Sequence, residues 1–378
     1  MQKLLINTFM LVLTVLLWGC GGDSSNDTTP PSPVSITLSQ ELIDATEDGG
    51  TFTITVNTTG SEWGAYADKD FINLSTANTL GQSGTLTVTL PANPYTEARS
   101  GSITVMSGSA RKTISVYQTA AESAAYDVPD GYKLVWHDEF DSGSQLNSDF
   151  WEWENWERGN VNNEVQYYRP GTQTIDGKHT TEIKNGNLFI NCFKGSDGKI
   201  YSGRVNAKNG GKGWQYGYFE ARILLPKGKG TWPAYWMMPI SVDWATEGWP
   251  KCGEIDIMEE VGCVPNEVSS SLHAEGHNHT NGTQVTKARN IGTAETEYHT
   301  YALEWTAEYI KTYVDGELLL SYDSDHTVRN YPYNKPFHLI LNLAWGGDWG
   351  GMYGTDESAL PISMKIDYVR VFQKKLNE

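Results

Sequence analysis

The sequence predicts an all-β protein made of two sandwiches in series. From Ser35 onward apolar residues alternate with Thr and Ser at period two. Short alternating runs separated by Gly, Asn, Asp and Pro turns recur far down the chain, and long stretches at helical period are lacking. At 378 residues the length allows about two or three units. The chain carries 28 basic against 46 acidic residues, a formal charge of −18, which excludes a protein that grips nucleic acid through Lys and Arg. With 14 Trp and 12% aromatic residues it is too aromatic for a disordered chain and fits a handler of neutral, polar, ring-shaped ligands.

In the first unit, residues 34–120, the runs Ser35-Ile36-Thr37-Leu38, Thr51-Phe52-Thr53-Ile54-Thr55-Val56, Gly84 to Leu90, Ser102-Ile103-Thr104-Val105 and Thr113-Ile114-Ser115-Val116 each present one apolar and one hydroxylated face. Such strands predict a small antiparallel sandwich. Residues 121–130 read as a linker, and residues 131–378 hold 12 of the 14 Trp. There Lys133 to Trp136, Asn187 to Ile190, Gly217 to Ile223, Tyr301 to Trp305 and Lys365 to Val371 read as strands, and Asp315-Gly316 as the turn of a hairpin. Such a series makes a large jelly-roll sandwich.

The amino terminus reads as an address. Lys3 precedes an apolar run from Leu4 to Leu17, too short to span a bilayer comfortably, so residues 1–20 are expected to be a signal peptide. Leu17-Trp18-Gly19-Cys20 resembles a bacterial lipobox with Cys20 as the lipidated residue, although Trp18 departs from the usual small residue. Residues 21–33 would then be a flexible tether, and the protein a monomer anchored by lipid in the outer membrane and exposed at the cell surface. Cys192, Cys252 and Cys263 remain, an odd number. Cys252 and Cys263 lie too far apart along an extended segment to bridge.

Gly253-Glu254-Ile255-Asp256-Ile257-Met258-Glu259-Glu260 carries the chemistry. A regular strand puts Glu254, Asp256 and Met258 on one face and Ile255, Ile257 and Glu259 on the other. Crowded like charges call for a reason, and retaining glycosidases supply one. They need two carboxyls ~5–5.5 Å apart, one a nucleophile and one an acid with a raised pKa. A single β-bulge after Asp256 turns Glu259 onto the face of Glu254, with the two Cα atoms roughly 13 Å apart and the side chains leaning together. Without a bulge the next acid on that face is Glu260, about 20 Å from Glu254 and too far for the chemistry. A solvated acidic strand, or a sugar-holding protein without chemistry, is the alternative.

Two resemblances sharpen these expectations. Gly49-Gly50-Thr51-Phe52-Thr53, a lone Trp63 in a loop, Asn93-Pro94, Arg99-Ser100-Gly101 and Val116-Tyr117-Gln118 resemble the BACON module, an immunoglobulin-like sandwich. Its role here is expected to be that of a spacer, Trp63 and Tyr66 being its candidate stacking rings. The acidic strand resembles the bulged signature of laminarinase-like members of glycoside hydrolase family 16. So do Asp138-Glu139-Phe140, Asn162 to Tyr168, Ser202-Gly203-Arg204, Tyr216 to Arg222, Trp232 to Met237, His299-Thr300-Tyr301, Leu341 to Ala344 and Asp367 to Val371. The resemblance implies a concanavalin-like jelly roll with Glu254 as nucleophile, Glu259 as general acid/base and Asp256 as the carboxylate that orients Glu254.

It further implies an endo-acting retaining β-glycanase on a β-glucan with 1,3 linkages, laminarin-like or mixed-linkage. A β-galactan such as a mucin O-glycan is the alternative substrate, and a non-catalytic glycan binder the alternative class. Trp232 and Trp236 are expected as stacking subsites, core packing being the alternative. Asn163, Arg204 and His273 are polar candidates near the cleaved unit. Trp249, Trp345 and Trp349 are candidates to wall the groove, ordinary packing again being the alternative. Glu260 and Trp345 depart from the family pattern close to the catalytic strands. His273, His277 and His279 lack zinc-site context, and catalysis is expected to need no cofactor. A structural calcium is implied on the opposite sheet, with Asp367 as side-chain ligand and Glu139 and Gly186 as further candidates.

Overall fold

The computed structural model describes residues 33–374 apart from 76–77, 94, 96–97 and 121–126. Cys20 lies outside the described residues, and among those described no helix is long and apolar enough to cross a membrane. The first sandwich packs a four-stranded sheet on a five-stranded one. The Thr-alternating strands point Ile54, Val56, Leu86, Val88, Ile103, Val105, Ile114 and Val116 into its core. Leu42–Ala45 joins Ala110–Gln118 in parallel, an exception within an otherwise antiparallel unit. Trp63 is not a loop residue. It sits in the strand Glu62–Ala67 and is buried in the core, so its ring is not offered to a ligand, whereas Tyr66 three residues on is exposed.

In the second unit, a ten-stranded sheet packs against a seven-stranded one, with one apolar core between them. Ile362–Lys374 occupies the middle of the larger sheet, hydrogen-bonded to Tyr132–Asp138, Asn187–Lys194 and Gly217–Leu224. The Asp315-Gly316 turn has both residues at positive φ (50° and 79°), as a two-residue hairpin turn requires, and joins Tyr309–Val314 to Glu317–Asp323.

The smaller sheet positions the acids. Its strands are β1 (Trp151–Trp153), β2 (Arg204–Ala207), β3 (Thr231–Pro239), β4 (Glu254–Glu259), β5 (Glu267–His273), β6 (Val285–Asn290) and β7 (Phe337–Trp345). They run in the order β1-β2-β7-β3-β4-β5-β6. Period two sorts each strand: on β3, Tyr235 and Met237 enter the core, while Trp232 and Trp236 stand on the other, groove-lining face. On β7, Leu339, Leu341, Leu343 and Trp345 point inward, so Trp345 is fully buried. The same parity rule corrects the expectation that Trp345 walls the groove. It supports the floor from beneath.

Candidate active site

The strand bearing the acids is broken at the place the chemistry demands. Against β5, Asp256 faces Ser271 and Glu259 faces Ser269, so three steps on β4 match two on β5. Against β3, Met258 faces Tyr235 and Asp256 faces Trp236, skipping Ile257. This one-residue bulge lets Ile257 and Met258 both enter the core, each 1% exposed, and it returns Glu259 to the face of Glu254 and Asp256. Two consecutive apolar side chains between acids are what hold the kink. Restoring the pleat would drive one of them to the groove and a glutamate into hydrocarbon.

Burial decides the behaviour of the three carboxyls. Glu254 keeps 18% of its side chain open and Asp256 only 4%, so Glu254 reaches a ligand and Asp256 acts on Glu254. All three are held above the usual carboxyl range, desolvation being the first cause in each case. For Glu254 the next cause is the charge of Asp256, partly offset by His273 and Arg204. For Asp256 it is the charge of Glu259. Glu259 is pulled back by a hydrogen bond from Trp232 Nε1 at 2.9 Å and by His273. Such a cluster retains a proton at pH values where isolated carboxyls have lost theirs, and it titrates as a unit.

His273 closes one side. Its Nε2 lies 3.2 Å from Asp256 Oδ2 and 3.9 Å from Glu254 Oε1. Glu254, Asp256 and His273 each place one ligand-type atom within 4.8 Å of the others, a geometry that also admits a divalent ion. His277 is not part of this cluster, because both its ring nitrogens face backbone carbonyls, of Leu272 and Asn330. Trp249 packs on His279 at 4.9 Å and on His273 at 5.8 Å, which places it in the groove wall. On the other side Trp349 meets Trp232 edge-on at 5.6 Å.

Arg204 is clamped between two indoles, 4.1 Å from the Trp156 ring and 4.8 Å from that of Trp236. Trp236 Nε1 donates to Asn342 Oδ1 at 2.7 Å, and Asn342 in turn donates to the Tyr168 hydroxyl. That hydroxyl donates to Glu164, which also accepts from Gln166 at 2.6 Å. Trp156, Glu164, Gln166, Tyr168 and Asn342 were not singled out from the sequence. Four of them lie in segments whose resemblance was visible, but nothing local shows that these distant segments converge beneath one arginine. Asn163 is an exposed rim residue whose amide donates to Asp348.

The expected calcium ligands are gathered on the other sheet but are partly committed. Glu139 gives both oxygens to Arg370, at 2.9 and 2.8 Å, and one also faces His137. Its side-chain carboxylate is therefore satisfied by a fork of donors. Asp367 meets Arg222 through Oδ2 at 2.6 Å. Gly186, at φ 68°, lies beside Asp141, whose carboxyl is raised by partial burial and by the charges of Glu139 and Asp367. Asp141 thus lies within electrostatic reach of Asp367 on that sheet.

Trp232→Phe keeps an aromatic ring and removes the donor to Glu259. Since that hydrogen bond favours the carboxylate, its loss is expected to raise the Glu259 pKa further. The alkaline limb of the kcat/KM profile should move up by a fraction of a pH unit to about one unit. An unmoved limb would mean that Trp232 does not tune this group.

Residues 170–370 match glycosyl hydrolases family 16, and residues 61–119 match BACON, described as a putative binding domain. A β-glucanase of Rhodothermus marinus is 38% identical over 249 residues, covering 64% of this chain and 85% of that protein. The glucan endo-1,3-beta-glucosidase A1 of Niallia circulans is 32% identical over 65% of this chain, which spans only 38% of that longer protein. A solved non-specific endo-beta-1,3(4)-glucanase of the same family, a mutant with a glucan oligosaccharide at its active site, superposes with a TM-score of 0.59. It is 37% identical and covers 68% of this chain and all of its own. The bulged strand, the convergent acids and these matches together assign the chain to glycoside hydrolase family 16.

Proposed function

We propose that the protein is an endo-acting retaining β-glucanase that cleaves β-glucan containing 1,3 linkages. The observation that carries this reading is the bulge that sets Glu259 beside Glu254 and Asp256 on a groove walled by tryptophans. Glu254 attacks the anomeric carbon as the bond to the departing sugar oxygen breaks, and Glu259 gives that oxygen its proton. Water then attacks the glycosyl-enzyme, Glu259 takes its proton, and the bond to Glu254 breaks. Asp256 and His273 orient Glu254, while Trp236 and the Arg204 clamp shape the neighbouring subsite. The glucanases among the relatives favour glucan over galactan. The clamp and indole walls suit a neutral pyranose, whose C–H faces stack on rings.

Product analysis on laminarin, lichenan, agarose and mucin tests the assignment. Oligosaccharides from the first two support it, cleavage of only the last two transfers the chemistry to galactans, and binding without products leaves a glycan-holding protein. The first sandwich and a lipid on Cys20 would hold the enzyme at the outer membrane surface. Metabolic labelling with a palmitate analogue that Cys20→Ala fails to abolish would remove that anchor. A structural cation held by Asp367 would brace the larger sheet; adding a chelator is then expected to lower the melting temperature, and no change would exclude it.

A further inference from the structure

The segment between β3 and β4 carries a feature that the chemistry above does not use. Trp244 is 66% exposed, the most exposed tryptophan among the described residues. It does not dangle. Asp243 anchors the turn, accepting from Ala245 N at 3.1 Å and from the Thr246 hydroxyl at 2.8 Å. The Asp243 carbonyl accepts from Thr246 N and Glu247 N, at 3.1 and 2.7 Å. Gly248 lets the turn close, since a Cβ there would come within 3.1 Å of the Trp244 carbonyl oxygen. The turn thus fixes the backbone that presents this large apolar ring to water. Five residues later the same segment supplies Trp249 to the groove wall beside His273.

From this geometry, and resting on the glucanase reading, we infer that Trp244 is an outer stacking platform for a sugar of the same glucan chain. It would bind beyond the subsites at the acids, on the Trp249 side of the groove. Five residues span at most ~17 Å even when extended, so the platform lies within a few sugar units of Trp249. An exposed indole on a fixed backbone turn gives a pyranose face contact area with little side-chain entropy to lose, since an aromatic side chain has only two rotatable angles. Its distance from the reacting bond makes it a selector of chain length. Long chains reach it and short ones do not.

The test uses the full chain and two substrates, soluble laminarin and a laminari-tetraose that the enzyme still cleaves. Trp244→Ala is expected to raise KM for laminarin by about five- to tenfold, with kcat and the tetraose parameters unchanged. Trp244→Tyr should restore most of the loss. Equal effects on both substrates would make Trp244 a structural residue, and no effect on laminarin would mean that the ring serves another contact; either result overturns the inference. Failure of the wild-type chain to cleave laminarin would instead strike the glucanase reading itself.

Discussion

Glu254→Gln is expected to cut turnover of laminarin by about 10⁴-fold or more, because it removes the atom that forms the covalent intermediate. The variant should also be more stable than the parent. Glu254 is desolvated beside Asp256 and Glu259, all three held above the usual carboxyl range by burial. Replacing one with a neutral isostere relieves repulsion that the native site tolerates for its chemistry. A higher melting temperature with lost activity and retained binding of laminari-oligosaccharides separates this outcome from misfolding. Persistent turnover would move the nucleophile elsewhere. Glu259→Ala should behave differently. The loss, about 10²–10⁴-fold on a polysaccharide, should shrink on an aryl glycoside whose leaving group needs no proton.

The second large effect concerns Glu260, the next residue along the strand and on its opposite, buried side. It is fully buried; Oε1 accepts from Asn266 N at 2.7 Å, and Oε2 has no partner among the described residues. Burial first, and the nearby charge of Glu295 second, push its carboxyl up to about 8. In the unfolded chain it would titrate near its ordinary ~4.3. Between those values the native state holds a proton that the unfolded state has lost, so stability falls as pH rises through that window and levels off above it. At 1.36 kcal/mol per unit, the wild type should lose on the order of 4 kcal/mol from this group between mildly acidic and alkaline pH. Glu260→Gln keeps the acceptor for Asn266 N and cannot ionise. Its melting temperature should match the parent near pH 5 and exceed it increasingly toward pH 8.5. A gap constant with pH would mean that Glu260 is not the titrating group.

The alternation of Thr with Ile and Val made the first core legible from the sequence, because period two and burial are local properties. The acidic strand was legible through a requirement: its three acids make chemical sense only with a bulge, and the Ile257-Met258 pair is what the bulge buries. Trp345 should have been legible too. It follows Leu339, Leu341 and Leu343 at even spacing, and the same parity count that placed Trp232 and Trp236 on the groove puts it inside. What sequence could not show was long-range company. Glu139 and Arg370 are 231 residues apart, and Glu164 meets Arg204 only because β2 and β7 bring distant segments together. Trp63 went astray for a local reason, since its strand Glu62–Ala67 lacks the Thr/Ser alternation that marks the neighbouring strands.

The central position of Ile362–Lys374 governs how this enzyme comes into being. Val371 pairs with Trp136 and Met364 with Ile190, partners far upstream along the chain. A ribbon that joins such remote stretches must wait for them, since closing large loops costs chain entropy before any contact rewards it. Until it inserts, the earlier strands offer open flanks to any neighbour in a crowded compartment. Catalytic competence is thus a late event in assembly, and trimming the chain upstream of residue 362 would leave an adhesive fragment in place of a weaker enzyme.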